Sequence, residues 1–373
     1  MKKSASSEIA SEDSGKNASA ARGFTRREWL ATSSLAAGAL VCGLPSFAEL
    51  AVVAAPQQKP LCIDVHAHFW TDAYLDLVTS YGKTDTNIQR GRGAGPDEAE
   101  IAKRFATMDA AGVDLQVLSV SPQMPHFADK AHAVNAAKMA NDMCADAVQR
   151  WPQRFTAFAA LPLPHIDESL RELDHALAQL HMAGVANTTA ILGRSVADAA
   201  FHPIYAELNR RKSVLFLHPA GNNANSSFIA DARLTWFVGA PVEDLIAVAQ
   251  LINAGIPKRF PDMKIINSHL GGAVPTVLAR WDSISTWEEP AIPEKPSIAA
   301  RRMWYDTVDY GDAPALRAAV DTLGAPQLVL GSDFPYESGK AYELCASYIR
   351  DSGLPAQDVT RILRSNAAGL LRL

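Results

Sequence analysis

The sequence has few cysteines, and this shortage limits how its fold can be held together. It contains 373 residues but only four cysteines, one of which, Cys42, lies in the N-terminal region. The other three, Cys62, Cys144 and Cys345, are an odd number and stand mostly among apolar residues. A disulfide framework needs paired cysteines. We therefore expect buried free thiols and a fold that depends on its hydrophobic core.

The sequence also lacks an excess of basic residues. Its formal net charge is −5, with 48% hydrophobic and 20% charged residues, a composition typical of soluble globular proteins. Residues 1–55 carry six basic and five acidic side chains, so the rest of the chain carries a charge of −6. A mildly acidic body gives no electrostatic basis for binding nucleic acid or an anionic membrane. We expect neither as a partner.

The N-terminal region has no apolar run long enough for a confident membrane span. Arg26 and Arg27 are followed by Trp29 and Leu30 and then by an Ala/Gly/Leu stretch that ends near residue 44. This order resembles a bacterial twin-arginine export signal, although a cytoplasmic helix with a chance arginine pair is the alternative. We expect residues 1–55 to be a signal peptide and linker. The twin-arginine (Tat) export machinery would then be a partner, and the protein would be periplasmic.

Residues 56–373 alternate between strand-like and helix-like segments and are predicted to form one domain. The predicted strands cover residues 61–66, 112–120, 155–161, 184–190, 213–218, 263–269, 303–308 and 327–332. The predicted helices cover residues 96–111, 128–151, 166–183, 196–212, 241–254, 272–287, 313–323 and 355–371. Eight such units predict an α/β fold, a (β/α)₈ TIM barrel with a parallel sheet. A doubly wound open sheet is the alternative, but the first strand lacks the glycine-rich phosphate loop expected there.

Five chemically versatile side chains stand at the C-terminal ends of predicted strands. They are His66, His68, His218, His269 and Asp333. In a (β/α)₈ barrel these ends meet at one mouth, where active sites lie. Taken singly, each residue has an ordinary structural explanation. Their joint placement, and the two-residue spacing that directs His66 and His68 to the same face of a strand, predict a shared site.

Three imidazoles and one carboxylate form a ligand set for a single divalent metal ion. We expect the ligands to be His66, His68, His218 and Asp333, with zinc favoured over manganese, iron or cobalt. His269 would lie beside the ion as a general acid or base, because imidazole titrates near neutral pH.

Short motifs around these residues resemble the amidohydrolase superfamily. They are D-V-H-A-H-F at 64–69, H-P at 218–219, H-L-G-G at 269–272 and G-S-D-F-P at 331–335. With M-D-A-A-G-V-D at 108–114 and N-A-A-G-L-L at 366–371, they are similar to the branch that contains aminocarboxymuconate-semialdehyde decarboxylase and related aromatic-acid decarboxylases. The resemblance implies the same metal ligands and a catalytic His269. Because the segment 184–190 has no lysine, it implies one metal ion rather than two.

The resemblance also implies a function, a metal-dependent non-oxidative decarboxylase of a small aromatic or muconate-like carboxylic acid. His269 or Asp333 would supply the proton that replaces CO₂. Arg280 would bind a substrate carboxylate, or alternatively be a salt-bridged residue of its helix. Trp70 and Phe334 flank the metal motifs and would pack on the substrate, or simply fill the barrel mouth. Hydrolysis of a lactone, ester or amide is the alternative activity, and a non-catalytic binding barrel is a third. By analogy with related enzymes, a homodimer is expected.

Overall fold

The computed structural model describes residues 61–373, so the predicted signal peptide lies outside the described residues. Eight parallel strands form the central sheet, in the order β1-β2-β3-β4-β7-β8-β9-β10. These strands are β1 Ile63–His68, β2 Leu115–Ser119, β3 Phe155–Ala160, β4 Gly184–Thr188, β7 Val214–His218, β8 Lys264–Asn267, β9 Trp304–Asp306 and β10 Leu328–Val329. A short antiparallel pair, β5 Ala190–Ile191 and β6 Arg194–Ser195, lies outside this sheet.

The sheet curves until its two edges meet. Backbone N–H groups of Val65 and His68 donate to the carbonyls of Leu330 and Phe334, at 2.9 and 2.7 Å. In the opposite direction, the N–H of Asp333 donates to the carbonyl of His66 at 2.9 Å. The result is a nearly closed parallel barrel, which confirms the predicted (β/α)₈ class. Closure also places Asp333, four residues after the end of β10, beside the histidines of β1.

Helices surround the barrel on its outside, joining successive strands. Within the described residues they are α1 Asp72–Ser80, α2 Glu98–Ala111, α3 Lys130–Arg150, α4 Ile166–Ala178, α5 His202–Arg211, α6 Ser227–Asp231, α7 Ala240–Asn253, α8 Ile256–Arg259, α9 Val274–Glu288, α10 Pro296–Ala300, α11 Ala313–Leu323, α12 Gly339–Arg350, α13 Ala356–Thr360 and α14 Asn366–Leu371. Single π-helical turns precede α7 and α14, at Thr235–Gly239 and Arg361–Ser365.

Five helices and the length of the last strand differ from the sequence prediction. The prediction omitted α1, α6, α8, α10 and α12, although α12 buries Tyr342, Cys345, Ala346 and Ile349 at the spacing of one helix face. The predicted strand 327–332 is reduced to two residues. The chain leaves the sheet early there because the backbone N–H groups of the next three residues do not bond to β9. Those of Leu330, Gly331 and Ser332 donate to the Ile362 carbonyl, the Thr307 hydroxyl and the Asp64 carboxylate. Asp333 then adopts a left-handed φ of 60°.

The core is continuous and contains no disulfide among the described residues. Phe158 and Phe216 stack inside it with ring centres 5.5 Å apart. Cys62, Cys144 and Cys345 are buried and free, as the odd number of cysteines indicated. The fold is therefore held by packing, in agreement with the expectation from composition.

One helical segment of the described chain is long and apolar enough to cross a membrane, Thr235–Asn253, with a mean hydropathy of 1.3. This segment contains α7, which buries Ala247, Val248, Leu251 and Ile252 in the hydrophobic core. It carries two buried carboxylates, Glu243 and Asp244, whose charges are costly inside a bilayer. Because a core helix passes the same test of length and composition, we interpret the segment as part of the barrel.

Candidate metal centre and active site

Three histidines and one aspartate meet at the C-terminal mouth of the barrel. Ligand atoms of His66, His68, His218 and Asp333 lie within 4.8 Å of one another, and all four residues are buried. They come from β1, β7 and the turn after β10, which only the closed barrel brings together. The structure thus places side by side the four residues that the sequence predicted as metal ligands.

Each of these histidines has one ring nitrogen oriented by the protein. His66 Nδ1 lies 2.7 Å from a carboxylate oxygen of Asp306, and His218 Nδ1 donates to the carbonyl of Pro219 at 2.9 Å. His68 Nδ1 lies 3.3 Å from the hydroxyl of Ser121. Partners of this kind fix the ring orientation of metal-binding histidines. The opposite ring nitrogens are left for the cluster.

The surroundings of His66 Nε2 indicate whether a cation would fit between these four residues. His66 Nε2 is buried without a hydrogen-bond partner, yet it lies 3.2 Å from Oδ1 of Asp333. The same carboxylate oxygen lies 2.9 Å from His68 Nε2. A buried nitrogen without a partner, next to a carboxylate and two further imidazoles, is the environment that a divalent ion satisfies. The donor set therefore fits one divalent metal ion.

The protonation states of the cluster agree with this assignment. Burial lowers the pKa of His68 to about 4 and lowers that of His218 well below its ordinary value, so both rings are neutral near pH 7. Burial opposes ionisation of Asp333, but His66, His68 and His269 together outweigh it and hold the pKa of this carboxyl well below its usual range. Burial also opposes protonation of His66, but Asp306 and Asp333 together raise its pKa to about 9. A bound cation would take the place of that ring proton.

His269 lies beside the cluster and is held from two sides. Its backbone N–H donates to Asp306 Oδ1 at 2.9 Å, and its Nδ1 lies 2.9 Å from Oδ2 of Asp244. Its Nε2 lies 3.9 Å from Oδ2 of Asp333. Burial opposes protonation of the ring, but Asp244 raises the pKa of His269 well above its ordinary value. A protonated imidazole whose Nε2 is not hydrogen-bonded can donate a proton to a bound molecule.

The sequence prediction missed both carboxylates that hold His269. Asp306 ends β9, so the rule that directed attention to strand ends would have found it. It bonds the ring of His66 with one oxygen and the backbone of His269 with the other, and thereby links the ligand cluster to His269. Asp244 comes from α7 and carries no comparable signal in the sequence, because its position depends on how that helix packs.

A cavity of about 250 Å³ opens onto the cluster. His218, His269 and Asp333 line it, and its remaining walls are Ile88, Arg92, Trp236, Ala240, Tyr310 and Tyr336. Arg92 is the basic side chain among these walls, with its guanidinium carbon 5.2 Å from the centre of the Tyr336 ring. Aromatic walls with one cationic group suit a flat anionic molecule. A larger open groove of about 620 Å³ shares Arg92 but none of the cluster residues.

The two aromatic residues predicted to contact substrate are placed elsewhere. Trp70 is buried, stacks on the His68 ring at 5.2 Å and donates its Nε1–H to the carbonyl of Val120. Phe334 is buried against Tyr342, and the guanidinium of Arg104 lies 4.5 Å from its ring centre. Neither residue lines the cavity of about 250 Å³. Trp70 instead lines the larger groove of about 620 Å³, and a role in substrate binding stays a prediction for both residues.

Arg280 is likewise not brought to the cavity within this chain. It lies on α9, eleven residues beyond His269, and its side chain is exposed. Spacing alone did not reveal that this position falls on the outer side of the helix. In the structure Arg92 is the cation at the cavity, and Tyr336, three residues after Asp333, is nearest in sequence to a predicted metal ligand among the aromatic residues that line the cavity. The sequence reasoning did not identify either residue.

Comparison with known proteins agrees with this geometry. The model of the family described as amidohydrolase matches residues 63–373. The 2-amino-3-carboxymuconate-6-semialdehyde decarboxylase of Dictyostelium discoideum is 27% identical over 64% of this chain and 67% of its own length. The γ-resorcylate decarboxylase of Polaromonas is 26% identical over 73% of this chain and 87% of its own length.

Solved structures show the same fold. A dihydroxybenzoic acid decarboxylase from Polaromonas, with bound manganese and the inhibitor 2-nitroresorcinol, superposes with a TM-score of 0.73. It is 22% identical, and the match covers 84% of this chain and 98% of that one. The family match over nearly the whole barrel confirms the resemblance found in the motifs. The chain belongs to the amidohydrolase family, in the branch of the carboxymuconate-semialdehyde and γ-resorcylate decarboxylases.

Proposed function

We propose that this protein is a metal-dependent, non-oxidative decarboxylase of a small hydroxylated aromatic acid. The observation that carries the proposal is one cavity in which metal-ligand residues, His269 and Arg92 face the same space between aromatic walls. Relatives named as decarboxylases support the reaction type over hydrolysis. Because one of them is a γ-resorcylate decarboxylase, 2,6-dihydroxybenzoate is the first substrate to test.

The metal ligands in this proposal are His66, His68, His218 and Asp333. When bound, a divalent ion acts as a Lewis acid that stabilises negative charge on substrate oxygen atoms. The nitrogen-rich ligand set favours zinc, whereas manganese is the ion in the Polaromonas relative. Metal analysis of the purified protein distinguishes the two ions.

His269 is the proton donor in this proposal. Decarboxylation replaces the C–CO₂⁻ bond of the substrate by a C–H bond, so each turnover consumes one proton. His269 Nε2 delivers this proton to the carbon that loses CO₂, and the neutral ring keeps its Nδ1–H bond to Asp244. Solvent then reprotonates Nε2. Asp333 is held ionised by its histidine partners, so it acts as a ligand rather than as the acid.

The substrate is held by the walls of the cavity. Arg92 pairs with a carboxylate or phenolate of the substrate, because a guanidinium binds such groups with two parallel hydrogen bonds. Tyr336 and Trp236 pack on the ring. The hydroxyl of Tyr336 lies 2.8 Å from the amide of Gln89, which keeps the phenol ring in position.

Two further proposals concern assembly and location. We propose a homodimer, supported by apolar side chains at the surface near the cavity, Phe228 and Phe237, which are 88% and 83% exposed. Light scattering on the eluting protein measures its mass.

We also propose export to the periplasm by the twin-arginine route, supported by Arg26 and Arg27. Replacing this pair with lysines should retain the protein in the cytoplasm.

The test of function measures two products from one enzyme preparation. Metal-loaded protein is incubated with hydroxybenzoates and, separately, with lactones and esters, while CO₂ and acid release are followed. We expect CO₂ from at least one hydroxybenzoate, and a loss of about 10²-fold or more with His269→Gln. His181→Gln, at an exposed histidine, is the matched control. Acid release from esters without CO₂ from any aromatic acid would overturn the proposal.

A further inference from the structure

We infer that Asp244 is a positioning residue for proton transfer, holding the His269 ring with Nδ1–H toward its carboxylate and Nε2 toward the cavity. The inference rests on the proposed decarboxylase function. Asp244 does not line the cavity and is buried behind His269, so it acts through the histidine and not on the substrate. It is the one carboxylate within hydrogen-bond distance of the His269 ring among the described residues.

The backbone at His269 explains why the ring needs a second anchor. His269 and Leu270 both have left-handed φ values, 50° and 54°, so the chain turns sharply as it leaves β8. Asp306 fixes the backbone N–H of His269 but leaves the side chain free to rotate about its own bonds. A ring turned by 180° would present carbon instead of Nε2 to the cavity. The bond to Asp244 selects one of these two orientations.

Asp244 is itself well fixed. Its Oδ2 lies 2.9 Å from His269 Nδ1, and its Oδ1 accepts a hydrogen bond from the hydroxyl of Ser268 at 3.0 Å. Both oxygens therefore have partners on the same turn. An ionised acceptor at Nδ1 also selects the tautomer that carries its proton on Nδ1, which leaves Nε2 to exchange a proton with substrate.

Close packing of backbones brings Asp244 to this position. A Cβ atom at Gly272 would lie 1.9 Å from the carbonyl oxygen of Pro241, and Gly272 has a φ of 63°. Only glycine allows the first turn of α7 to approach the turn after His269 so closely. The neighbouring Glu243 accepts from the N–H groups of Ala220 and Gly221, just beyond His218. The first turn of α7 thus contacts both the turn after His269 and the turn after His218.

The kinetic test compares Asp244→Ala and Asp244→Asn with the wild-type holoenzyme on 2,6-dihydroxybenzoate. Loss of the acceptor in Asp244→Ala should lower kcat about 10²-fold, with KM and bound metal unchanged. Asparagine retains an oxygen acceptor, so Asp244→Asn should keep more activity than Asp244→Ala. Asp321→Ala removes an exposed carboxylate on α11 and should not change kcat. Wild-type kcat in Asp244→Ala would overturn the inference.

A spectroscopic test does not depend on turnover. In protein with ¹⁵N-labelled histidine rings, the His269 signals are identified by their loss in His269→Gln. At a pH high enough for the ring to be neutral, we expect the proton of His269 on Nδ1 in the wild type and a changed tautomer distribution in Asp244→Ala. Unchanged His269 signals would overturn the inference even if the enzyme decarboxylates. If instead no aromatic acid is decarboxylated by the wild type, the proposed function fails while the spectrum still reports whether Asp244 orients the ring.

Discussion

Three buried carboxylates contact the imidazoles at the mouth of this barrel, and each of them holds a different part of the cluster. Asp333 faces His66 and His68, Asp306 bridges His66 and the backbone of His269, and Asp244 holds the His269 ring. Burial of a carboxylate is costly unless it is hydrogen-bonded or paired, and burial raises the pKa of Asp244 to about 6, against the opposing effect of His269. The cluster is stable as a network because every carboxylate has an imidazole partner.

The cation at the cavity gives a prediction for substrate binding. Arg92→Met keeps much of the side-chain volume and removes the charge, so we expect KM for 2,6-dihydroxybenzoate to rise about 10- to 100-fold, the effect of losing a hydrogen bond to a charged group. Steady-state kinetics at saturating metal measure the change. Arg90→Met is the matched control, because Arg90 pairs with Asp72 and Asp76. An equal rise in KM for both variants would exclude a specific role for Arg92.

Residues with a strand-end signal could be predicted from the sequence, and residues positioned by packing could not. His66 and His68 were identifiable because a strand alternates its faces every residue. Arg280 is exposed on α9 and does not line the cavity, because eleven residues of separation do not determine which side of a helix faces a site. Its role in substrate binding stays a prediction. Arg92 lies in the segment between α1 and α2, and its approach to Tyr336 depends on the path of that segment.

At the scale of the element, α7 and the turn after β8 depend on each other. Gly272→Ala places a methyl group against the carbonyl of Pro241 and requires a left-handed φ from a residue with a side chain. We expect a loss of more than about 2 kcal/mol in the free energy of unfolding, measured by urea denaturation. The activity of the folded fraction should also fall, because α7 can no longer hold Asp244 beside His269.

Gly369→Ala is the control for that substitution. Gly369 lies inside α14, and a Cβ atom there would meet no other atom within 4 Å. Alanine is the better helix former by up to about 1 kcal/mol, so stability should be unchanged or slightly raised. Equal destabilisation by both substitutions would show that the close approach at Gly272 is not the cause.

Helix α5 gives a prediction about pH and stability. Hydrogen bonds from Arg210, and further contacts with Arg211, outweigh burial and lower the pKa of Glu207 from 4.5 to about 2. The stabilisation of the folded protein by ionised Glu207 is therefore complete above pH 4.5 and is lost as the pH falls toward 2. Glu207→Gln should lower Tm by about 1–3 °C at pH 7 and by less at pH 3. Scanning calorimetry at the two pH values measures the difference.

The matched control for Glu207 is Asp321→Asn. Asp321 is exposed on α11 and forms no ion pair within the part of the chain that the structure describes. Its replacement should leave Tm nearly unchanged at both pH values. A Tm difference for Glu207→Gln that is the same at pH 3 and pH 7 would contradict the role of its charge.

The alternation of eight strand and helix segments was sufficient to predict the architecture, because each unit must bury its apolar face against its neighbours. The lengths of the individual strands and helices were harder to predict from the sequence. The early end of β10 follows from the hydrogen bonds that Leu330, Gly331 and Ser332 form away from β9, and α12 was missed although its buried side chains share one face. The cavity walls depend on irregular segments between strands, such as the π-helical turn that carries Trp236, for which no periodic pattern exists.

At the scale of the whole molecule, the barrel brings together residues that are 152 and 267 positions beyond His66. Ligands so distant in sequence do not form a site in the unfolded chain, so metal binding and folding support each other. A bound ion stabilises the native state by mass action. The metal is therefore central to both the stability and the proposed activity of the protein.

The most direct measurement is CO₂ release from 2,6-dihydroxybenzoate as a function of bound metal. Protein stripped with a chelator is titrated with zinc or manganese, while metal content and CO₂ are measured on the same samples. We predict that the stripped protein is inactive and that activity rises in proportion to bound metal up to one ion per chain. CO₂ release that is independent of metal content, or none from fully loaded protein with any aromatic acid tested, would contradict the account.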